Sequence, residues 1–169
     1  MKRLISFIST KDKTPDGVHH KLQKALKEYE RNKIAASSQR TILLIEDEDS
    51  LRKLYADILR SKDYKVIDIS DVSDNKLENA LESGRIDAII SGIMQPYKDG
   101  LQVLKELKAD DRYKAIPYII SSSLSNERII KESFNSGAEL YLIHSQETPD
   151  SWVIKVDDFL KKSFGRNSK

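Results

Sequence analysis

Four acids stand in a row at Glu46-Asp47-Glu48-Asp49, directly after the apolar run Thr41-Ile-Leu-Leu-Ile45. A continuous apolar run of this kind marks a strand covered on both faces. At least one of the acids therefore points over the end of a buried strand. Two carboxylates placed there suit a hard cation such as Mg²⁺, which takes oxygen ligands. Such a site normally draws on a third anionic ligand. Its natural source, the end of the second buried strand, offers only Ser91 and Gly92. Two more polar groups follow apolar runs, Ser121-Ser122-Ser123 and His144-Ser145. The plainer reading of the acids is a solvated loop and helix start, where carboxylates favour the helix dipole.

The composition removes several other chemistries. The chain has 169 residues and no cysteine, which excludes disulfides, thiolate metal sites and a cysteine nucleophile. Its three histidines are His19, His20 and His144, too few and too badly spaced for a multi-histidine centre. No apolar run approaches the roughly 20 residues of a membrane span, and Leu4 to Ile8 is shorter than a signal-peptide core. These features predict a soluble, cytoplasmic protein. Ser121-Ser122-Ser123 lacks a histidine base and a nucleophile elbow, so a hydrolase is not expected. No phosphotransfer motif surrounds His19-His20.

The elements that must carry these residues follow from periodicity. From Arg40 onward, apolar runs alternate with amphipathic stretches. Strands are expected at Thr41–Ile45, Tyr64–Ile69, Ile86–Ile90, Pro117–Ser121 and Glu139–Ile143. Leu51, Leu54, Tyr55, Ile58 and Leu59 mark the first intervening helix, and Asn75 to Leu81 a short second one. Asp99 begins a third in capping-box style, with Gln102 at the third position. Ser125 is the expected cap of a fourth, which ends near Ser136 with Gly137 as its left-handed exit. Thr148-Pro149 opens a fifth, whose Trp152, Val153, Val156, Phe159 and Leu160 face the core. The expected fold is α/β: a doubly wound, five-stranded parallel sheet in the order 2-1-3-4-5, flanked by five helices and preceded by a helical extension.

That extension differs in charge from the rest. Residues 1–40 carry ten Lys/Arg against four Asp/Glu, and residues 41–169 carry nineteen against twenty-three. A basic segment at 1–39 thus precedes a domain at 40–169. Within it, Val18, Leu22, Ala25, Leu26 and Tyr29 form one face of a helix, and residues 35–39 read as a linker. The apolar face is expected to be covered, either by its own domain or in a homodimer of paired helices. Nucleic acid is the less favoured acidic partner.

Residues 41–163 resemble the receiver domain of two-component response regulators, CheY-like in fold. Ile42-Leu-Leu-Ile-Glu-Asp-Glu-Asp49 is similar to the family's first strand and acidic pair. Asp87-Ala-Ile-Ile-Ser-Gly-Ile-Met-Gln-Pro-Tyr-Lys-Asp-Gly100 is similar to its third strand and the loop beyond it. Pro117 to Ser123 and Gly137 to Leu142 resemble the segments carrying the family's terminal hydroxyl, here Ser122, and its aromatic switch residue, here Tyr141. The resemblance implies weak or absent Mg²⁺ binding by Glu46, Asp47 and the backbone carbonyl of Met94, and no other cofactor.

The resemblance fails where phosphoryl chemistry needs it. The phosphoacceptor aspartate falls on Gly92, the charge-neutralising lysine on His144 and the proline after it on Ser145. Transfer to an aspartate needs a carboxylate nucleophile, a metal and a cation on the equatorial oxygens. A single laboratory substitution would have left the lysine and proline in place. The expectation is therefore a pseudo-receiver, not an enzyme. It would bind a signalling partner, independently of phosphorylation, through the surface of its fourth helix, fifth strand and fifth helix. The alternative is a response regulator phosphorylated by a histidine kinase through an altered site. A third reading gives the binding role to the basic segment.

Overall fold

The computed structural model describes residues 22–27, 39–73 and 75–166, the side chain of residue 166 excepted. The chain divides into two compact units, Met1–Gln39 and Arg40–Lys169. In the first, residues 22–27 are helical, with Leu22 and Leu26 each half exposed. The remaining residues of the helix expected in this segment and most of the linker lie outside the described residues.

The second unit is built on five parallel strands: β1 (Thr41–Ile45), β2 (Lys65–Ile69), β3 (Ala88–Ser91), β4 (Tyr118–Ser122) and β5 (Leu140–Ile143). Their order across the sheet is β2-β1-β3-β4-β5. Parallel strands require crossovers. Here these are α1 (Asp49–Ser61), α2 (Lys76–Glu82), α3 (Gly100–Ala109) and α4 (Glu127–Asn135), and α5 (Pro149–Arg166) follows β5.

Side-chain alternation along the strands divides the core in two. Ile42, Leu44, Ile90, Ile119 and Leu142 pack with Tyr55, Ala56 and Leu59 of α1 and with Trp152, Val153, Val156 and Leu160 of α5. Leu43, Ile45, Ile89, Tyr118 and Ile120 pack with α2 and with Val103, Leu104 and Leu107 of α3. The central strands β1, β3 and β4 are buried along their whole length, whereas edge strand β2 is only half-buried. This is why their apolar runs are unbroken while β2 alternates.

Three local expectations need correction. The cap of α4 is Asn126, not Ser125: its side chain accepts from the Arg128 amide at 2.9 Å, and the helix starts one residue later. Asp99 caps α3 by accepting from the Leu101 amide at 2.7 Å. Gln102, however, turns forward to Glu106 at 3.1 Å and leaves the capping box half made. Leu54 is exposed at 39%, so the buried stripe of α1 is narrower than its apolar residues suggest. Gly137 has φ +105°, and a Cβ there would stand 2.9 Å from Lys108 Cγ. Both the conformation and the close approach require glycine at this exit.

A candidate site at the carboxyl ends of the strands

Register brings the polar residues to one level. Ile45 is opposite Ser91, Ser91 opposite Ile120, and Ser122 opposite Ile143. The residues one step beyond are Glu46 and Gly92, and Ser121 stands level with Gly92. This is the end of the sheet, around the β1/β3 switch point in strand order, where open α/β folds place their ligands.

On the β1 side, Glu46 is buried and accepts a bond from the Glu48 amide at 3.2 Å. Burial pushes its carboxyl up to about 7, and the neighbouring Asp47 and Glu48 charges add to the rise. Asp47 is exposed. Arg52, whose side chain is largely covered, donates to the Glu46 carbonyl at 2.8 Å and pairs with Asp49. Its charge is thereby turned to the backbone of the acidic loop and to the acid that starts α1. Neither Arg52 nor its role is apparent from the sequence, where it is one of many helix-surface cations.

On the β3 side, Gly92 presents no side chain. Its amide donates to the Ile45 carbonyl at 3.2 Å. The loop that follows turns sharply back. The Gly100 amide donates to the Ile93 carbonyl at 2.8 Å, and a Cβ on Gly100 would fall 1.9 Å from the Gly92 carbonyl oxygen. Only glycine permits that contact. Met94 and Tyr97 of this loop are exposed, and Tyr97 adopts φ +72°.

The space over Gly92 belongs to Gln95. Its Nε2 lies 3.2 Å from the Ile45 carbonyl, 3.2 Å from the Gly92 carbonyl and 3.0 Å from Ser91 Oγ. All three can accept, which fixes the orientation of the amide. Its Oε1 is buried without a hydrogen-bond partner, at a cost of about 1–3 kcal/mol for an unsatisfied acceptor.

On the β4–β5 side the polar groups are joined in a chain. Trp152 Nε1 donates to Ser121 Oγ at 2.9 Å, and Ser121 Oγ is 2.9 Å from His144 Nε2. The indole can only donate, so Ser121 Oγ is the acceptor of that bond, while the direction of its bond to His144 follows the imidazole tautomer. Burial holds His144 below the usual imidazole range, opposed by the charge of Glu48. Tyr55 stacks on Trp152 with ring centroids 4.0 Å apart and an interplanar angle of 12°. His144 thus sits at the lysine position as a hydrogen-bonded group and, contrary to the sequence expectation, gives Ser121 a histidine partner, although that serine lies within β4 and not on a nucleophile elbow. The two expected switch residues are also brought close. Ser122 Oγ accepts from the Leu124 amide at 3.3 Å, and the Tyr141 hydroxyl donates to the Leu124 carbonyl at 2.9 Å.

These residues do not fit Mg²⁺. Among the described residues no three His, Asp or Glu side chains converge on one point. Position 92 supplies no carboxylate, and what stands against its carbonyl is an N–H donor of Gln95, which cannot ligate a cation. No helix among the described residues is long and apolar enough to cross a membrane.

Comparison with known proteins places this arrangement. The model of the response regulator receiver domain matches residues 42–156. The chain is 28% identical over 122 residues to the transcriptional regulatory protein SrrA of Staphylococcus aureus (strain NCTC 8325 / PS 47), covering 72% of this chain and 48% of that protein. It therefore spans about half the length of the curated relatives it matches. Among solved structures it resembles a CheY-like receiver domain protein of Methanospirillum hungatei JF-1, with TM-score 0.67 at 18% identity over 76% of this chain and 99% of that one. It also resembles the chemotaxis response regulator CheY4 of Vibrio cholerae, with TM-score 0.64 at 20% identity over 73% and 99%. At these identities the structural likeness speaks to fold, and it agrees with the strand order and the two-layered core described above. The chain belongs to the response regulator receiver domain family of two-component signalling.

Proposed function

We propose that this chain is a pseudo-receiver: a non-enzymatic signalling module that binds a protein partner without being phosphorylated on an aspartate. The observation that carries the reading is Gly92 at the acceptor position, with the Gln95 amide in the space above it. Acyl phosphate formation needs a carboxylate nucleophile there, and charge neutralisation by a metal and a cation. Position 92 offers no nucleophile, and the group at the lysine position is a neutral imidazole bonded to Ser121.

The partner surface in this reading is formed by α4, β5 and α5. Phe134 on α4 and Ile154 on α5 are each about half exposed. Tyr141 on β5 is held by its hydroxyl bond to the Leu124 carbonyl. A surface held in this way presents one arrangement to a partner without a covalent signal.

Intact-mass measurement of the full chain after incubation with Mg²⁺ and a small phosphodonor tests the reading. The expected spectrum is unchanged. A gain of about 80 Da, the mass of one phosphoryl group, that hydroxylamine removes would favour a working receiver with another acceptor. Glu46, Asp47 and Asp99 would be the acids to search.

A further inference from the structure

We infer that Gln95 closes the acceptor site, so that the missing carboxylate at Gly92 is not the sole barrier to metal binding at this end of the sheet. The inference rests on the pseudo-receiver reading and adds to it a second determinant that the motif does not reveal.

The geometry supplies three reasons. First, a Cβ built on Gly92 meets Gln95 Nε2 at 3.5 Å and Gln95 Cγ at 3.9 Å. The position tolerates the first atom of a side chain, but the atoms beyond it would enter the space the amide holds. Second, the amide arrives with its donor end. A carboxylate introduced by Gly92→Asp would find an N–H within reach and accept from it, instead of presenting its oxygens to a cation. Third, the contact is held despite a cost. Oε1 stays buried and unpaired while Nε2 keeps its contacts with the Ile45 carbonyl of β1 and with Ser91 and Gly92 at the end of β3. Gln95 is therefore a cross-tie between the two central strand ends, made where a receiver would hold its ion.

The same bonds show that the tie can be removed without orphaning the backbone. The Ile45 carbonyl also accepts from the Gly92 amide, and the Gly92 carbonyl also accepts from Ser91 Oγ at 2.8 Å. Gln95→Met keeps an unbranched side chain of similar length, removes the donors and eliminates the unpaired Oε1. It should leave the fold intact.

The test compares four forms of the full chain: native, Gly92→Asp, Gln95→Met and the double variant. Each is titrated with Mg²⁺ by calorimetry and then exposed to a small phosphodonor and weighed. Denaturant unfolding confirms that each form folds. The double variant should bind Mg²⁺ at least about 10-fold more tightly than Gly92→Asp, because only there is a third carboxylate free to join Glu46 and Asp47. Equal Mg²⁺ affinity in Gly92→Asp and the double variant would overturn the inference and leave the pseudo-receiver reading standing. Phosphorylation of the native chain would instead defeat that reading, whatever the variants do.

Discussion

The two halves of the carboxyl edge have been treated differently. At the ends of β1 and β3, where a receiver does its chemistry, the nucleophile is missing, one acid is buried near neutrality and an amide fills the gap. At the ends of β4 and β5 the polar groups are bonded to one another. Ser121, His144 and Trp152 form a continuous chain, and Ser122 and Tyr141 meet at the backbone of Leu124. A site decaying without constraint would leave loose ends in both halves. Here the β4–β5 half has its hydrogen bonds made, and in the proposed reading the half that would turn over phosphate is closed by Gln95. The contrast fits the proposed binding module, in which a surface must be held still whereas an unused acceptor need only be quiet.

The largest effect expected from breaking this contrast is at Trp152. It is fully buried, stacked on Tyr55 and bonded to Ser121. Trp152→Ala should cost about 3–5 kcal/mol in denaturant unfolding. The loss should reach the β4–β5 half through Ser121 and His144, so the His144 ring proton resonances should shift as well. A loss below about 1 kcal/mol would mean that this half does not depend on the indole.

Gly100→Ala strikes the other half. The new Cβ must escape a backbone oxygen at 1.9 Å, which no side-chain rotation relieves. A cost of about 1–3 kcal/mol is expected, together with displacement of the Gly92–Gln95 loop. The amide resonances of residues 92–95 should move while those of 121–124 stay in place. Equal disturbance of both halves would show that they are one mechanical unit.

The smallest of these effects is the pH dependence of Glu46. Its folded carboxyl is raised from 4.5 to about 7, so between these values the folded chain binds more protons than the unfolded one. Stability from this group is present in full below about pH 4.5 and is lost as the pH rises through 7. Glu46→Gln keeps the acceptor for the Glu48 amide and removes the charge. The variant should match the native chain near pH 4 and exceed it by about 1–2 kcal/mol above pH 7, after allowance for solvent screening. A constant difference across that range would place the carboxylate in water.

Much of this molecule is legible in its sequence, and the reasons are physical. Buried parallel strands are mostly apolar, with buried serines only at the carboxyl ends of β3 and β4, so β1, β3 and β4 declare themselves within one or two residues of their ends. Gly137 and Thr148-Pro149 mark helix ends through backbone conformations few other residues accept. The gap at Gly92 follows from counting along the resemblance. Hydrogen bonds that cross between elements are not legible in the same way. Gln95 occupies an unspecified place in Ile-Met-x-Pro, and no periodicity says that its amide folds back over position 92. Ser121, His144 and Trp152 are 31 residues apart at most, and only strand register unites them. The displaced cap at Asn126 is a choice between two adjacent residues of equal capping ability, which tertiary packing decides.

In the proposed reading the carboxyl edge does not respond to phosphoryl chemistry. Beryllofluoride imitates a bound phosphoryl group and needs the same carboxylate and metal. Recording the amide spectrum of the full chain before and after adding Mg²⁺ and beryllofluoride tests the claim most directly. The resonances of residues 46–47, 92–95, 121–124 and 141 should remain where they were. A second set of peaks at those positions, growing to saturation with Tyr141 among them, would contradict it.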